Sequence, residues 1–237
     1  MISLRDQLEQ VDWAGVSKCI NDKGYALVRD LLDIQHANAL AALSDRPTGF
    51  RKTVDMERYR FGSGTYKYFD HPLPGEIQTI RELVYPKLVP LANLWMEALN
   101  IDKAFPQTFE GLRELCRQKG QGLASPLILK YGKGGFNTLH QDLYGDVYFP
   151  FQAVLFLSGP EVDYTGGEFV LTQQAPRAQA KAMVLAPHKG DMLIFPTNFR
   201  PVKGLKGYYR ATMKHGVSAL HWGERITLGI IFHDAAS

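Results

Sequence analysis

Short runs of β-branched and aromatic residues, separated by turn-forming residues, make up most of the chain after Gly122. These runs predict seven strands, at residues 126–131, 147–157, 168–173, 181–185, 191–195, 214–220 and 225–232. Gly166, Gly167 and Gly190 supply turn positions with positive φ, and Gly223 is expected to close a hairpin between the last two strands. So many short strands within about 115 residues are typical of an antiparallel sandwich or barrel, and a jelly roll is the expected form.

The first half of the chain has mainly helical periodicity. Apolar residues recur every three or four positions after Leu4 and again in the segment 77–99. Two segments differ from this pattern, since residues 25–32 are predicted as a strand and residues 51–69 alternate weakly, as an extended chain does. Asp33 is the expected N-cap of a helix over residues 34–43.

The predicted fold class is mainly β with N-terminal helices (α+β), as one domain over residues 1–237. Residues 1–120 are expected to form a mainly helical support and a candidate lid, and residues 121–237 a jelly-roll catalytic core. The helices are expected to cover one face of a sheet, because an apolar sheet face must be buried against another layer.

Composition narrows the class of protein. The 237 residues include 27 lysines and arginines against 24 aspartates and glutamates, and the two cysteines, Cys19 and Cys116, form no C-x-x-C pair. This excludes zinc ribbons, iron–sulfur proteins and thioredoxin-like redox sites. No stretch approaches the 18 or so apolar residues of a membrane span, so we expect a cytoplasmic protein with reduced thiols and no membrane partner.

A metal site is predicted from three residues on two converging strands. His140 and Asp142 are two positions apart at the end of an extended segment, so both side chains point the same way, and His215 begins a later strand. Two imidazoles and one carboxylate form the facial triad of a non-haem Fe(II) site, which leaves positions for a co-substrate and oxygen. The site would keep a net charge of about +1 and attract an anionic ligand.

A second anchor for that anion is predicted on the last strand. Arg225 and Thr227 share one face of it, and a guanidinium binds a carboxylate through two hydrogen bonds while a hydroxyl adds one more. Tyr131, nine residues before His140, is a further candidate donor, although a packed strand aromatic is an equally good interpretation.

The order of these motifs resembles the Fe(II)/2-oxoglutarate-dependent dioxygenase superfamily. Five segments carry the resemblance: His140-x-Asp142, Gly166-Gly167-Glu168-Phe169, residues 190–195 (GDMLIF), His215-x-Val217 and Gly223-x-Arg225-x-Thr227. The segment 131–142 (YGKGGFNTLHQD) is similar to AlkB-type alkylation-repair dioxygenases. The C-terminal half also resembles a bacterial family grouped with oxygenases proposed to act on damaged DNA.

The resemblance implies a double-stranded β-helix with His140, Asp142 and His215 on Fe(II). It also implies Arg225 and Thr227 on the distal carboxylate of 2-oxoglutarate. The implied reaction uses O2 to convert 2-oxoglutarate into succinate and CO2 while it hydroxylates a substrate carbon or removes an N-methyl group. No counterpart of the repair enzymes' nucleotide-recognition segment is identified before Ser125.

The substrate hypothesis depends on charge placement. Between Met192 and His215 the chain carries basic residues and no acidic one, with aromatic residues among them: Arg200, Lys203, Lys206, Arg210 and Lys214, with Phe199, Tyr208 and Tyr209. Because this stretch leads into His215, we expect it at the mouth of the site, where it would suit nucleic acid with a modified nucleobase. A second cluster, Arg51, Lys52, Arg58 and Arg60 with nearby tyrosines and phenylalanines, is a candidate lid, although Asp55 and Glu57 dilute its positive charge.

Several alternatives stay open at this stage. The basic stretch is equally well interpreted as a flexible solvated loop. The substrate could be a protein side chain, such as proline, or a small metabolite, and a jelly roll could hold metal as a sensor without turnover. A zinc hydrolase ranks lowest, since no H-E-x-x-H motif is present. The remaining histidines, His36, His71, His188, His221 and His233, are predicted to be structural, and the sequence leaves open the oligomeric state and any role of Cys19 and Cys116.

Overall fold

A computed structural model describes residues 3–237 of the protein. Its five α-helices lie in the first half of the chain: α1 (Leu4–Glu9), α2 (Trp13–Lys23), α3 (Ile34–Ala41), α4 (Gly75–Ala98) and α5 (Phe109–Gln118). The predicted N-cap of α3 is confirmed, because the Asp33 carboxylate accepts a hydrogen bond from the amide of His36 at 2.8 Å. The long helix α4 carries the apolar pattern that the sequence indicated.

Fifteen strands are found within residues 3–237. The first seven are β1 (Ala26–Val28), β2 (Phe50–Asp55), β3 (Gly62–Ser63), β4 (Thr65–Phe69), β5 (Leu127–Tyr131), β6 (Phe136–His140) and β7 (Phe151–Phe156). The other eight are β8 (Tyr164–Gly166), β9 (Phe169–Gln174), β10 (Ala180–Leu185), β11 (Met192–Pro196), β12 (Phe199–Gly204), β13 (Gly207–Val217), β14 (Leu220–Gly223) and β15 (Arg225–Ile231).

These strands form a double-stranded β-helix, which confirms the predicted fold. The larger sheet has the order β1-β11-β7-β15-β5-β4-β2, and the smaller has the order β10-β9-β13-β6-β3 with β12 also paired to β13. The strand pairs within both sheets are antiparallel. Because the chain returns repeatedly from one sheet to the other, residues far apart in sequence face each other across the interior.

The two faces of β15 show how the larger sheet is buried. Leu228 and Ile230 point outward and pack with residues of the helices in the main apolar core. Arg225 and Thr227 alternate with them and point into the interior, where they line a cavity. The helices therefore cover the outer face of one sheet, as predicted, and leave its inner face to the functional site.

Three details differ from the sequence prediction. Residues 222–224 do not close a hairpin, because β14 pairs with β8 while β15 pairs with β5 and β7. Gly223 is where the chain crosses between sheets, with φ +82°, and a Cβ there would lie 2.1 Å from the carbonyl oxygen of Asp163. The predicted strand 214–220 falls on two strands, since β13 ends at Val217 and β14 begins at Leu220, and residues 199–214 form the β12–β13 hairpin instead of a loop. None of the helices in residues 3–237 is both long enough and apolar enough to cross a membrane.

Candidate metal centre and the cavities beside it

The three predicted metal ligands meet because β6 and β13 are neighbours. His140 ends β6 and is paired directly with His215 of β13, so the two rings lie side by side with centroids 4.2 Å apart. Asp142 follows β6 and bridges them, with Oδ1 3.6 Å from His140 Nε2 and Oδ2 3.2 Å from His215 Nε2. The ligand atoms all lie within 4.8 Å of one another, and this arrangement could hold a metal ion.

Hydrogen bonds set the orientation of the ligands. His140 Nδ1 lies 2.8 Å from the carbonyl oxygen of Thr138, an acceptor that assigns the proton to Nδ1 and leaves the Nε2 lone pair toward Asp142. The Tyr144 hydroxyl donates to Asp142 Oδ1 at 2.8 Å, and the Tyr68 hydroxyl donates to that of Tyr144 at 3.2 Å. This chain of two tyrosines leaves Asp142 Oδ2 directed toward His215.

The electrostatics favour a charged Asp142 carboxylate beside a neutral His215 imidazole. Burial raises the pKa of Asp142, but the neighbouring His215 and His140 and the Tyr144 hydroxyl lower it by more, so the pKa lies well below its usual range. Burial, followed by the nearby His140, lowers the pKa of His215. A divalent cation therefore meets one negative charge and two imidazole lone pairs, which is the donor set that Fe(II) prefers.

Arg225 lies in the same small cavity of about 50 Å³ as the three ligands. It is 1% exposed, makes no ion pair with any residue in 3–237, and its Nε has no hydrogen-bond partner there. Aromatic rings surround the guanidinium, with the centroids of Phe156 and Tyr131 at 5.4 and 5.6 Å. A buried cation without a carboxylate is costly, so an anionic ligand in this cavity would fit both the charge and the unused donor.

Two other predicted residues line this cavity. Thr227 lies two positions after Arg225 on the same face of β15, and Tyr131 lies opposite Arg225 on β5. The Tyr131 hydroxyl accepts a hydrogen bond from Asn137 Nδ2 at 3.4 Å, and burial raises its pKa to about 12, so it stays protonated. Both side chains can therefore donate hydrogen bonds to an anion beside Arg225.

Sequence analysis missed two residues of the site. Tyr144, two positions after Asp142, holds the metal-side carboxylate, and the spacing H-x-D-x-Y is the signal that could have identified it. Gln152 also lines the cavity, and its Nε2 is buried without a partner. It is the only amide side chain in the otherwise apolar segment 147–157, and this exception could have identified it as a candidate site residue.

A second cavity, of about 200 Å³, opens on the metal ligands from another side. It shares His140 and Asp142 with the first cavity, and four of its ten other lining residues are aromatic: Phe61, Tyr66, Tyr68 and Tyr144. The first three belong to the segment 51–69, which therefore forms part of the wall of this cavity. Two larger surface clefts, of about 1070 and 600 Å³, include none of the metal-site residues and do not bear on this chemistry.

The predicted position of the basic stretch is wrong. Arg200 is buried and donates to Gln173 Oε1 at 3.1 Å and to the carbonyl oxygen of Asn21, so it ties the hairpin to α2. Lys203 and Lys206 lie at or next to the turn of the β12–β13 hairpin, and the following residue, Gly207, is about 25 Å along β13 from His215. The sequence neighbours of a ligand were expected near it, but an extended strand carries them away.

Two more of the basic residues also lie away from the mouth of the site. The guanidinium of Arg210 lies 4.7 Å from the ring centroid of Phe199, a diagonal neighbour across the hairpin. Lys214 alone is adjacent to His215, and it is exposed on the opposite face of β13. Among the remaining histidines, His233 is buried and its Nδ1 accepts a hydrogen bond from the amide of Phe149, as a structural residue does.

Residues 64–235 match the model of a family described as an oxygenase, catalysing oxidative methylation of damaged DNA. The chain belongs to this family. Two Mycobacterium tuberculosis proteins, the uncharacterized MT2286 and Rv2227, are each 42% identical to this oxygenase over 168 residues, which cover 71% of the chain and 72% of each relative.

Solved structures share the fold of this oxygenase. A Pseudomonas putida prolyl-4-hydroxylase superposes with a TM-score of 0.56 and 17% identity, over 92% of this chain and 96% of its own. A Burkholderia pseudomallei oxidoreductase of the 2OG-Fe(II) oxygenase family superposes with a TM-score of 0.55 and 15% identity, over 96% and 95%. The protein is an oxidoreductase of the Fe(II)/2-oxoglutarate-dependent superfamily, whose reactions use Fe(II), 2-oxoglutarate and O2.

Proposed function

We propose that this oxygenase hydroxylates or demethylates a modified nucleobase in nucleic acid. The observation that carries the proposal is the aromatic cavity of about 200 Å³ that opens directly on His140 and Asp142. A base removed from its stack is planar, and aromatic side chains bind such a ring through its faces while polar groups bind its edge. The description of the family, which names damaged DNA, points to the same substrate class.

In the proposed site, His140, Asp142 and His215 bind Fe(II), and Arg225 binds the distal carboxylate of 2-oxoglutarate. Thr227 and Tyr131 donate further hydrogen bonds to the bound diacid. When Fe(II), 2-oxoglutarate and O2 are bound, they supply an oxidation that yields succinate and CO2 and adds one oxygen atom to a substrate C–H bond. An N-methyl group oxidised in this way becomes a hydroxymethyl group, which leaves as formaldehyde.

The protein's own contribution is position and exclusion of water. Tyr144 and Tyr68 hold Asp142 so that one carboxylate oxygen stays free for the metal. The segment 51–69 forms part of the wall of the second cavity, so a substrate bound there lies beside the metal residues and is partly shielded from bulk water. His140 and Asp142 line both cavities. We assign the cavity that contains Arg225 to 2-oxoglutarate and the cavity of about 200 Å³ to the substrate.

A second candidate substrate is a peptide, since the solved structures of similar fold include prolyl hydroxylases. That likeness concerns the fold, and the family description favours nucleic acid. Membership of an oxygenase family also favours turnover over the sensor alternative.

Cys19 and Cys116 are both free thiols, in keeping with a cytoplasmic location.

Substrate-stimulated succinate release tests the proposal. The purified enzyme is incubated with Fe(II) and 2-oxoglutarate without oxygen, and oxygen is then admitted with an N-methylated oligonucleotide, its unmodified counterpart or a proline-rich peptide. We expect the methylated oligonucleotide alone to raise succinate release and to yield formaldehyde in equal amount. His140→Ala measures the background from free iron. Stimulation by the peptide and none by the oligonucleotide would overturn the nucleobase proposal.

A further inference from the structure

An exposed pair of stacked aromatic rings lies between β2 and β3. Tyr59 and Phe61 are 49% and 47% exposed, and their rings stack with centroids 5.6 Å apart and an angle of 18° between the planes. Residues 57–59 form a short 3-10 helix that ends at Arg60, whose φ is +60°. Large aromatic rings presented together to water are a feature of binding surfaces.

The pair lies at the entrance of the substrate cavity. The carbonyl oxygen of Phe61 accepts hydrogen bonds from the amide of Thr138 at 2.9 Å and from its hydroxyl at 2.8 Å. Thr138 is two residues before His140 on β6, so Phe61 is attached to the strand that carries a metal ligand. The ring of Phe61 also lines the cavity of about 200 Å³, while Tyr59 lies outside it.

The charge around the pair is positive. The guanidinium of Arg58 lies 5.9 Å from the ring centroid of Tyr59, and neither Arg58 nor Arg60 makes an ion pair with any residue in 3–237. The two nearest acidic residues in sequence keep their negative charges, so the segment 51–61, which also carries Arg51, Lys52, Arg58 and Arg60, has a net charge of +2. Glu57 Oε1 accepts from the Ser63 hydroxyl at 2.6 Å, and Asp55 Oδ1 accepts from the amide of Glu57 at 3.1 Å. The exposed cations therefore favour a polyanion over a neutral peptide.

We propose that Arg58, Tyr59, Arg60 and Phe61, here called the platform, bind single-stranded nucleic acid beside the cavity. The proposal rests on the proposed function, and it identifies the surface that holds the strand. The base next to the modified one stacks on the Tyr59–Phe61 pair, and Arg58 and Arg60 contact the neighbouring phosphates. A paired duplex keeps the faces of its bases covered, so the platform suits a single strand or a locally opened one.

The sequence predicted nucleic-acid binding by the basic stretch that forms the β12–β13 hairpin, and we assign that binding to the platform instead. Both segments combine cations with aromatic residues, but only the platform borders the cavity at the metal ligands. Loss of base stacking on aromatic rings weakens binding roughly 10- to 100-fold. Each phosphate contact on a single strand adds about 0.7 to the slope of log affinity against log salt concentration, so two contacts give about 1.4.

Fluorescence anisotropy with a labelled, unmodified 12-nucleotide single strand measures binding apart from turnover. The enzyme is loaded with Mn(II) and an inert 2-oxoglutarate analogue. We expect the double variant Tyr59→Ala with Phe61→Ala to bind roughly 10- to 100-fold more weakly. The double variant Arg58→Gln with Arg60→Asn should lower the salt slope by about 1.4, and asparagine tolerates the positive φ at position 60. Circular dichroism verifies that each variant is folded.

The matched control changes the hairpin instead. Tyr208→Ala with Lys206→Ala removes an exposed aromatic ring and a cation from the other basic segment, and we expect unchanged binding. If the hairpin variant loses affinity and the platform variants do not, the platform inference is wrong and the proposed function stands. Tighter binding of a duplex than of the single strand would also overturn it. If the wild-type protein binds no oligonucleotide and a proline-rich peptide stimulates turnover, the proposed function fails as well.

Discussion

Replacing Arg225 by methionine should separate co-substrate binding from fold stability. The guanidinium is buried, has no ion pair among residues 3–237, and lies in the metal-site cavity. If it binds the distal carboxylate of 2-oxoglutarate, its loss removes a charge-assisted pair of hydrogen bonds worth about 2 to 4 kcal/mol. The dissociation constant for 2-oxoglutarate should then rise about 30- to 1000-fold.

The same substitution should not weaken the protein without its ligand. A buried cation with no partner carries a desolvation cost, and methionine fills similar space without that cost. We expect the Tm of Arg225→Met in the absence of 2-oxoglutarate to equal or exceed that of the wild type. Loss of binding together with unchanged or higher stability is a combination that general damage to the fold does not produce.

Thermal unfolding without oxygen, with Mn(II) in place of Fe(II), measures both effects. A ligand at 100 times its dissociation constant stabilises the wild type by about 2.7 kcal/mol, or roughly 5 to 10 °C for a protein of this size. The variant should keep no more than about a third of that shift, because the same ligand concentration is then only about three times its dissociation constant or less. The control is Arg200→Met, whose buried guanidinium bonds to Gln173 and to the backbone of α2, so it should lower Tm and keep the 2-oxoglutarate shift. A full shift in Arg225→Met would refute the reasoning.

Three further predictions concern the metal ligands and a buried histidine. His140→Ala and Asp142→Ala should each abolish stoichiometric Mn(II) binding measured by calorimetry, and retained binding in either would remove that residue from the ligand set. Tyr144→Phe deletes one hydrogen bond to the Asp142 carboxylate, worth about 1.5 to 3 kcal/mol, so metal affinity should fall about 10- to 150-fold; equal affinities would show that Tyr144 does not position Asp142. Burial, and then the nearby Arg81, lowers the pKa of His233 to about 4, below its value in the unfolded chain, so the unfolded state binds more protons as the pH falls and stability is lost below about pH 6.5. The free energy of unfolding in urea should drop by roughly 2 kcal/mol more between pH 7 and pH 5 in the wild type than in His233→Gln, and equal drops would contradict this assignment.

The metal site could be predicted because strand geometry makes short spacings informative. Two residues separated by one position on an extended chain point the same way, so His140 and Asp142 could be paired from sequence alone. The same rule placed Arg225 and Thr227 on one face of the last strand. These residues also stand in the order that the family shares, and the structure brings them into one cavity as expected.

The basic stretch shows where this reasoning reaches its limit. The position of Lys206, nine residues before His215, suggested proximity, but an extended strand of that length places it far from the metal ligands. The segment 51–69 is more than 70 residues before His140, yet its short strand β3 pairs with β6 and brings Phe61 to the entrance of the cavity. Closeness in sequence therefore misled for the basic stretch, whereas the segment 51–69 reaches the site despite its distance in sequence.

Local chemistry predicted many of the strands, the candidate metal ligands and the candidate arginine anchor, because periodicity and residue type act within a few positions. Which side chains share a cavity depended on strand pairing across the two sheets, and pairing is settled by the packing of the whole core. The hydrogen bond from Tyr68 to Tyr144 depends on the position of β4 in the larger sheet. The position of Tyr59 and Phe61 beside the cavity depends on the pairing of β3 in the smaller sheet.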